Sequence, residues 1–153
     1  MNIADLITPE RVGYGIKASS RKRVLELLSN MIVNAQPQLT QKNVFESLLA
    51  RERLGGTGLG RGLALPHGRL KNLDRPLGAF VQLESGVDFD ANDRQPVDLL
   101  FALLVPEQST DEHLQILATL AQMFSDKQLR EQLRMAESSD ALFDLLTHWQ
   151  AHS

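Results

Sequence analysis

Leu59-Gly60-Arg61-Gly62-Leu63-Ala64-Leu65-Pro66-His67-Gly68 sets a histidine after a short apolar run, behind a loop with glycines at positions 55, 56, 58, 60 and 62. Leu63, Ala64 and Leu65 read as a buried strand. Pro66 is expected to stop the ladder, because proline has no N–H and a fixed φ. His67 is then delivered at a strand end, among backbone rather than bulky side chains. Backbone N–H groups in a glycine-rich loop suit an anion such as a phosphoryl group. Two readings stay open on these residues alone: a histidine presented to a phosphate, and a histidine in a turn after an edge strand.

Working outward, the flanking segments alternate between helical and extended patterns. Arg21 to Asn34 places Val24, Leu25, Leu27, Leu28, Met31 and Ile32 at helical spacing, with Ser19 and Ser20 as candidate N-caps. A second helix is predicted over Gln41 to Arg53, capped by Thr40, with an apolar face of Val44, Phe45, Leu48 and Leu49. The glycine loop ends it. Beyond His67, Ala79 to Leu83 and Val97 to Val105 read as strands, and Val87 to Phe89 as a possible short one. The run from Leu99 to Val105 is apolar throughout, which suits a central strand covered on both faces. Ser109-Thr110-Asp111-Glu112 is expected to be a capping box with Ser109 as N-cap. The helix it opens is expected to bury Leu114, Leu117, Ala118, Ala121 and Phe124. A short helix opened by Ser125-Asp126-Lys127-Gln128 and a last one from Asp140 to Trp149 follow. The expected fold is α/β, a small mixed sheet with helices packed on both faces, in one domain over residues 1–153.

Composition narrows the function classes. The chain of 153 residues has 16 basic and 19 acidic residues and a net charge of -3, which argues against a general nucleic-acid binder. It has no cysteine, so disulfides, thiolate catalysis and cysteine metal sites are excluded. The N-terminus lacks the basic and apolar regions of a signal peptide. The longest apolar run, Leu99 to Val105, is too short to span a bilayer. A cytoplasmic protein without membrane insertion is expected. No G-x-G-x-x-G register, P-loop, H-E-x-x-H or G-x-S-x-G pattern is present, which disfavours a nucleotide-driven kinase or a serine hydrolase.

Beside His67 stand three further histidines. His148 and His152 read as solvated. His113 follows Glu112 in the first turn of a helix, where the dipole attracts anions and disfavours a second positive charge. A neutral imidazole there suits a phosphoryl oxygen; an exposed helix histidine is the plain alternative. Arg51, at the end of the second helix, has a planar fork suited to phosphate, although a basic residue at a helix C-terminus also needs no such reason.

Taken together, these residues resemble the fructose, mannitol and nitrogen-regulatory class of IIA proteins of the bacterial phosphotransferase system. The pattern of that class is an acidic or amide residue, six positions, an aliphatic and a small residue, two positions, then aliphatic-Ala-aliphatic-Pro-His-small. Glu52, Leu59, Gly60, Leu63, Ala64, Leu65, Pro66, His67 and Gly68 satisfy every place. The likeness extends over nearly the whole chain, and the nitrogen-regulatory branch is the most similar. The resemblance implies that His67 is phosphorylated by the phosphohistidine of an HPr-like protein, itself charged by an enzyme-I-like protein using phosphoenolpyruvate. It maps the second active-site histidine onto His113 and the phosphate-stabilising arginine onto Arg51. Gly56, Thr57 and Gly58 become the phosphate-binding loop, with Gly56 where relatives often carry serine. Glu52 occupies a patterned position without an assigned role. No metal and no cofactor is implied. In this branch the phosphorylation state regulates partners such as potassium-transport or sensor-kinase proteins. The competing expectations are a sugar-transport IIA that hands phosphate to a IIB component, and a binding module in which His67 is structural.

Overall fold

A computed structural model describes residues 2–151. Two short 3-10 turns, Ile3–Asp5 and Pro9–Arg11, lead into β1 (Val12–Ile16). Then come α1 (Arg21–Val33), α2 (Gln41–Leu54), β2 (Gly58–Gly60), β3 (Leu63–Ala64), β4 (His67–Leu70), β5 (Leu77–Val87) and β6 (Val97–Pro106). Three helices close the chain: α3 (Asp111–Phe124), α4 (Lys127–Met135) and α5 (Ser139–His148). The six strands form one mixed sheet in the order β1-β5-β6-β3-β2, with β4 also paired to β6.

The physical centre is β6. Its successive side chains point to opposite faces. Leu99, Phe101, Leu103 and Val105 pack with Ile116, Leu120, Leu133 and Leu142 of α3, α4 and α5. Leu100, Ala102 and Leu104 pack with Leu25, Leu28, Val44 and Leu48 of α1 and α2. All seven strand residues are fully buried, which is why the segment reads as a continuous apolar run rather than an alternating one. β5 flanks it antiparallel; β3 and β4 flank it parallel on the other side. The expected α/β architecture with helices on both faces is the one observed.

Details of the prediction change. Pro66 interrupts its strand but does not end it. Leu63 lies opposite Leu99, Ala64 opposite Leu100, His67 opposite Leu103 and Gly68 opposite Leu104, so the register against β6 survives the proline. Pro66 lacks a donor, yet its carbonyl still accepts from the Leu103 N–H at 2.9 Å. His67 therefore opens a strand instead of standing at the end of one. The short strands β1 and β2 were not anticipated, because VGYGI and GLG are rich in glycine, which is depleted in strands.

Helix α3 is turned relative to expectation. It buries His113, Ile116, Leu120, Met123 and Phe124, while Leu114 is 65% exposed and Ala118 and Ala121 face outward. Two apolar stripes at helical spacing run along this helix, and the one with the bulkier side chains wins the core. Its N-cap is Thr110, not Ser109, and no side-chain cap forms. In α4 the cap is Asp126, which accepts from the N–H groups of Gln128 and Leu129. Ser20, Thr40 and Ser138 cap α1, α2 and α5. His148 is exposed, as expected; His152 lies outside the described residues.

Candidate functional site

The pleat of β3 and β4 assembles the site. Leu63 and Leu65 face the α3 side of the sheet and Ala64 the α2 side. Continuing the alternation, His67 and Arg69 fall on the α3 side and Gly68 on the α2 side. The contacts agree. His67 and Arg69 both meet His113 of α3, whereas a Cβ added to Gly68 would collide with the Ser47 hydroxyl of α2. That hydroxyl donates to the Arg69 carbonyl at 3.0 Å and helps hold β4 against α2.

His67 is half-buried, with Nδ1 2.7 Å from the Leu65 carbonyl oxygen. A carbonyl only accepts, so in the neutral ring Nδ1 carries the proton and Nε2 keeps a free lone pair. Burial lowers the pKa of His67 from its usual 6.5; the Leu65 hydrogen bond opposes this and the Arg51 charge adds to it. The imidazole is neutral at pH 7.

His113 stands against it, with ring centroids 5.3 Å apart and planes inclined by 70°. It is 7% exposed, so it is not the solvated helix histidine that its sequence position also allowed. Its Nδ1 faces Arg69 Nε at 3.4 Å. Its Nε2 is buried and has no hydrogen-bond partner among the described residues. Desolvation lowers the pKa of His113 most, followed by the nearby His67, Arg69 and Arg51. Two neutral imidazoles thus share a pocket edged by two guanidinium groups, a setting hospitable to a multiply charged anion.

Arg51 ends α2 with Nη1 2.7 Å from the Gly55 carbonyl, where the helix stops. Glu52, 5% exposed, turns inward. Its carboxylate accepts from the Thr57 N–H at 3.3 Å and, closely, from the Thr57 hydroxyl, with Arg21 Nη1 at 3.9 Å. The Thr57 carbonyl in turn accepts from the Leu65 N–H at 2.9 Å. A continuous hydrogen-bonded path therefore runs from Glu52 through Thr57 and Leu65 to the His67 ring. Of the anticipated loop, Thr57 is engaged by Glu52 and Gly58 belongs to β2, opposite Ala64. The Gly56 N–H takes no partner among the described residues.

Sequence reasoning passed over Arg69. The signal was present: on a strand, the residue two beyond His67 shares its face. It is masked because Pro66 reads as the strand's end, whereas the strand continues beyond it.

The sequence and fold are similar to those of known proteins. Residues 5–149 match the family described as "Phosphoenolpyruvate-dependent sugar phosphotransferase system, EIIA 2". The chain is 41% identical over 150 residues to a nitrogen regulatory protein of Pseudomonas aeruginosa, covering 98% of this chain and 97% of that protein. It is 41% identical over 148 residues to the nitrogen regulatory protein of Escherichia coli K12, covering 96% and 90%. The crystal structure of nitrogen regulatory protein IIA-Ntr from Neisseria meningitidis superposes with a TM-score of 0.88 at 40% identity, covering 95% of this chain and 99% of that one. With a family match over nearly its whole length and relatives at this identity, the chain belongs to the EIIA type-2 family of the phosphotransferase system.

Proposed function

We propose that this protein is a regulatory phosphocarrier that takes a phosphoryl group on His67 Nε2 from the phosphohistidine of an HPr-like protein. The observation that carries the reading is the pair of complementary imidazoles: His67 with a free Nε2 lone pair, and His113 beside it with a buried nitrogen lacking a partner. In the transfer, the Nε2–P bond forms as the donor's N–P bond breaks. The donor leaves with the electron pair of that bond as a neutral imidazole, and the Nδ1 proton of His67 stays on Nδ1, hydrogen-bonded to the Leu65 carbonyl, throughout. Exchange between two imidazoles is nearly balanced in energy, so the protein supplies position and charge stabilisation rather than driving force. Arg51, His113 and the free Gly56 N–H are the groups that would meet the phosphoryl oxygens. The phosphorylated and free forms would then engage different partners, potassium-transport and sensor-kinase proteins among them.

The test is incubation with phosphoenolpyruvate and the enzyme-I-like and HPr-like proteins, followed by intact mass. One acid-labile phosphoryl group on the wild type and none on His67→Ala is the expected result. A phosphoryl group on both proteins removes His67 from the role. Rapid passage onward to a purified sugar IIB component would replace regulation by sugar transport. An unmodified wild type would leave a binding module.

A further inference from the structure

We propose that Arg69 is a positioning residue that fixes His113 as its Nε2–H tautomer, so that the second imidazole presents a donor to the phosphoryl group held by the first. The inference rests on the phosphocarrier reading for its purpose, but its geometry stands independently. Arg69 Nε lies 3.4 Å from His113 Nδ1. A guanidinium has five donors and no acceptor, so the ring nitrogen facing it must offer a lone pair. A neutral imidazole carries one ring proton, and with Nδ1 accepting, that proton sits on Nε2. Nε2 is the buried atom left without a partner among the described residues. An N–H shut away from water and unpaired is costly, and such an atom in a native fold calls for an explanation. A phosphoryl oxygen arriving between the two rings supplies one.

The alternative protonation states show why an arginine suits this place. The Nδ1–H tautomer would turn the Nε2 lone pair toward the phosphoryl oxygens and repel them. The imidazolium would add a third positive charge beside Arg51 and Arg69, in a pocket that already disfavours it. Arg69 opposes both. His67 is held the opposite way: its Nδ1 faces a carbonyl, which leaves Nε2 bare. One ring is set by an acceptor and the other by a donor, giving a nucleophile and a hydrogen-bond donor side by side.

The backbone makes the arrangement rigid. Arg69 and His67 lie two residues apart on β4, paired with Val105 and Leu103 of β6. The Ser47 hydroxyl binds the Arg69 carbonyl from the far side. The nucleophile and the group that orients its partner thus ride on one short strand, and any shift of β4 moves them together.

The experiment is long-range 1H–15N correlation of the imidazole rings in the unphosphorylated protein, with Arg69→Met and Arg69→Lys beside the wild type. Methionine keeps an unbranched chain and removes the donor; lysine keeps a donor. The wild type and Arg69→Lys are expected to show His113 as the Nε2–H tautomer, and Arg69→Met a mixture with Nδ1–H. Partners that orient metal-bound imidazoles are worth about 10- to 100-fold, and a similar scale is expected for an imidazole that must present a donor. Arg69→Met should therefore accept phosphoryl from the HPr-like donor that much more slowly, to the same final stoichiometry, with Arg69→Lys restoring most of the rate. A wild-type His113 in the Nδ1–H form, an unchanged tautomer in Arg69→Met, or an unchanged rate despite a changed tautomer would each overturn the proposal. If no variant, wild type included, takes a phosphoryl group, the phosphocarrier reading fails while the tautomer spectra still decide the role of Arg69 at His113.

Discussion

The two histidines of the pocket are held by opposite means. His67 is fixed by its own chain: the carbonyl that binds its ring belongs to Leu65, two residues earlier. His113 is fixed from another element, by an arginine on β4. A locally held group is written into a short stretch of sequence, whereas a remotely held one exists only after the sheet and α3 have packed. The difference also separates their chemistry, since one ring exposes a lone pair and the other a donor. The comparison breaks most decisively on substitution. His67→Ala should lose phosphoryl acceptance entirely. His113→Ala should retain it at a rate reduced by about 100- to 1,000-fold, the cost of one preorganised donor. Single-turnover transfer from the phosphorylated donor measures both. Equal and complete losses would mean that the two rings act as one unit and that the division drawn between them is wrong.

The same contrast explains what could be read before the fold was known. β6 is legible because seven consecutive apolar residues allow little else, α1 and α2 because serine or threonine caps stand before clear apolar stripes, and α5 because of its apolar stripe alone. His67 was legible because its motif is local. His113 was singled out, yet the face of α3 was misassigned, since Leu114, Leu117 and Ala118 compete with Ile116 and Leu120 and only tertiary packing chooses between them. Arg69 was hidden behind a proline that interrupts a strand without ending it. The part played by Glu52 was out of reach, because nothing in helix-end residues tells that a carboxylate will turn inward to bind a loop.

That inward carboxylate offers the next test. The support for His67 reaches back through Leu65 and Thr57 to Glu52. Glu52→Ala would strand two buried donors of Thr57, at a cost of about 1–3 kcal/mol each when unpaired. Unfolding in urea should show a loss of about 2–6 kcal/mol for the two donors together, and amide exchange should quicken from Gly55 to Gly58 before it quickens in β6. Adding Thr57→Val should cost less than its single effect, because the partner is already gone. Strict additivity would show that the two side chains are not coupled.

Acid sharpens the comparison further. Both histidines have pKa values below their usual 6.5, with burial as the first cause. The folded protein therefore binds fewer protons than the unfolded chain in the window between the lowered values and 6.5, and stability falls as pH drops through that window. Above it, both states are neutral and the slope vanishes. Phosphoryl acceptance needs the free lone pair of His67, so its acidic limb should lie below pH 6.5, displaced from that of free imidazole. A limb at or above 6.5 would contradict the buried, arginine-flanked environment. His113→Ala should flatten part of the stability slope while leaving the contribution of His67.

The smallest effect is expected at Gly56. A Cβ there would meet the Phe89 carbonyl at 3.4 Å and the Asp90 carbonyl at 3.5 Å, ordinary contact distances, and its φ lies outside the left-handed region. Nothing in the backbone demands glycine. Gly56→Ser should be accepted with stability unchanged or raised by about 0.4–1 kcal/mol through the narrower unfolded ensemble. With the Phe89 and Asp90 carbonyls this near, the hydroxyl has acceptors in the free protein too, so a benefit to the phosphoryl group must be read as a difference between the free and phosphorylated forms. The telling comparison is the lifetime of the phosphorylated form against the rate of its formation. A serine that lengthens the lifetime without changing the rate acts on the bound phosphoryl group alone. A serine that changes neither places Gly56 outside the reach of the phosphoryl oxygens and leaves the pocket to His113 and the two arginines.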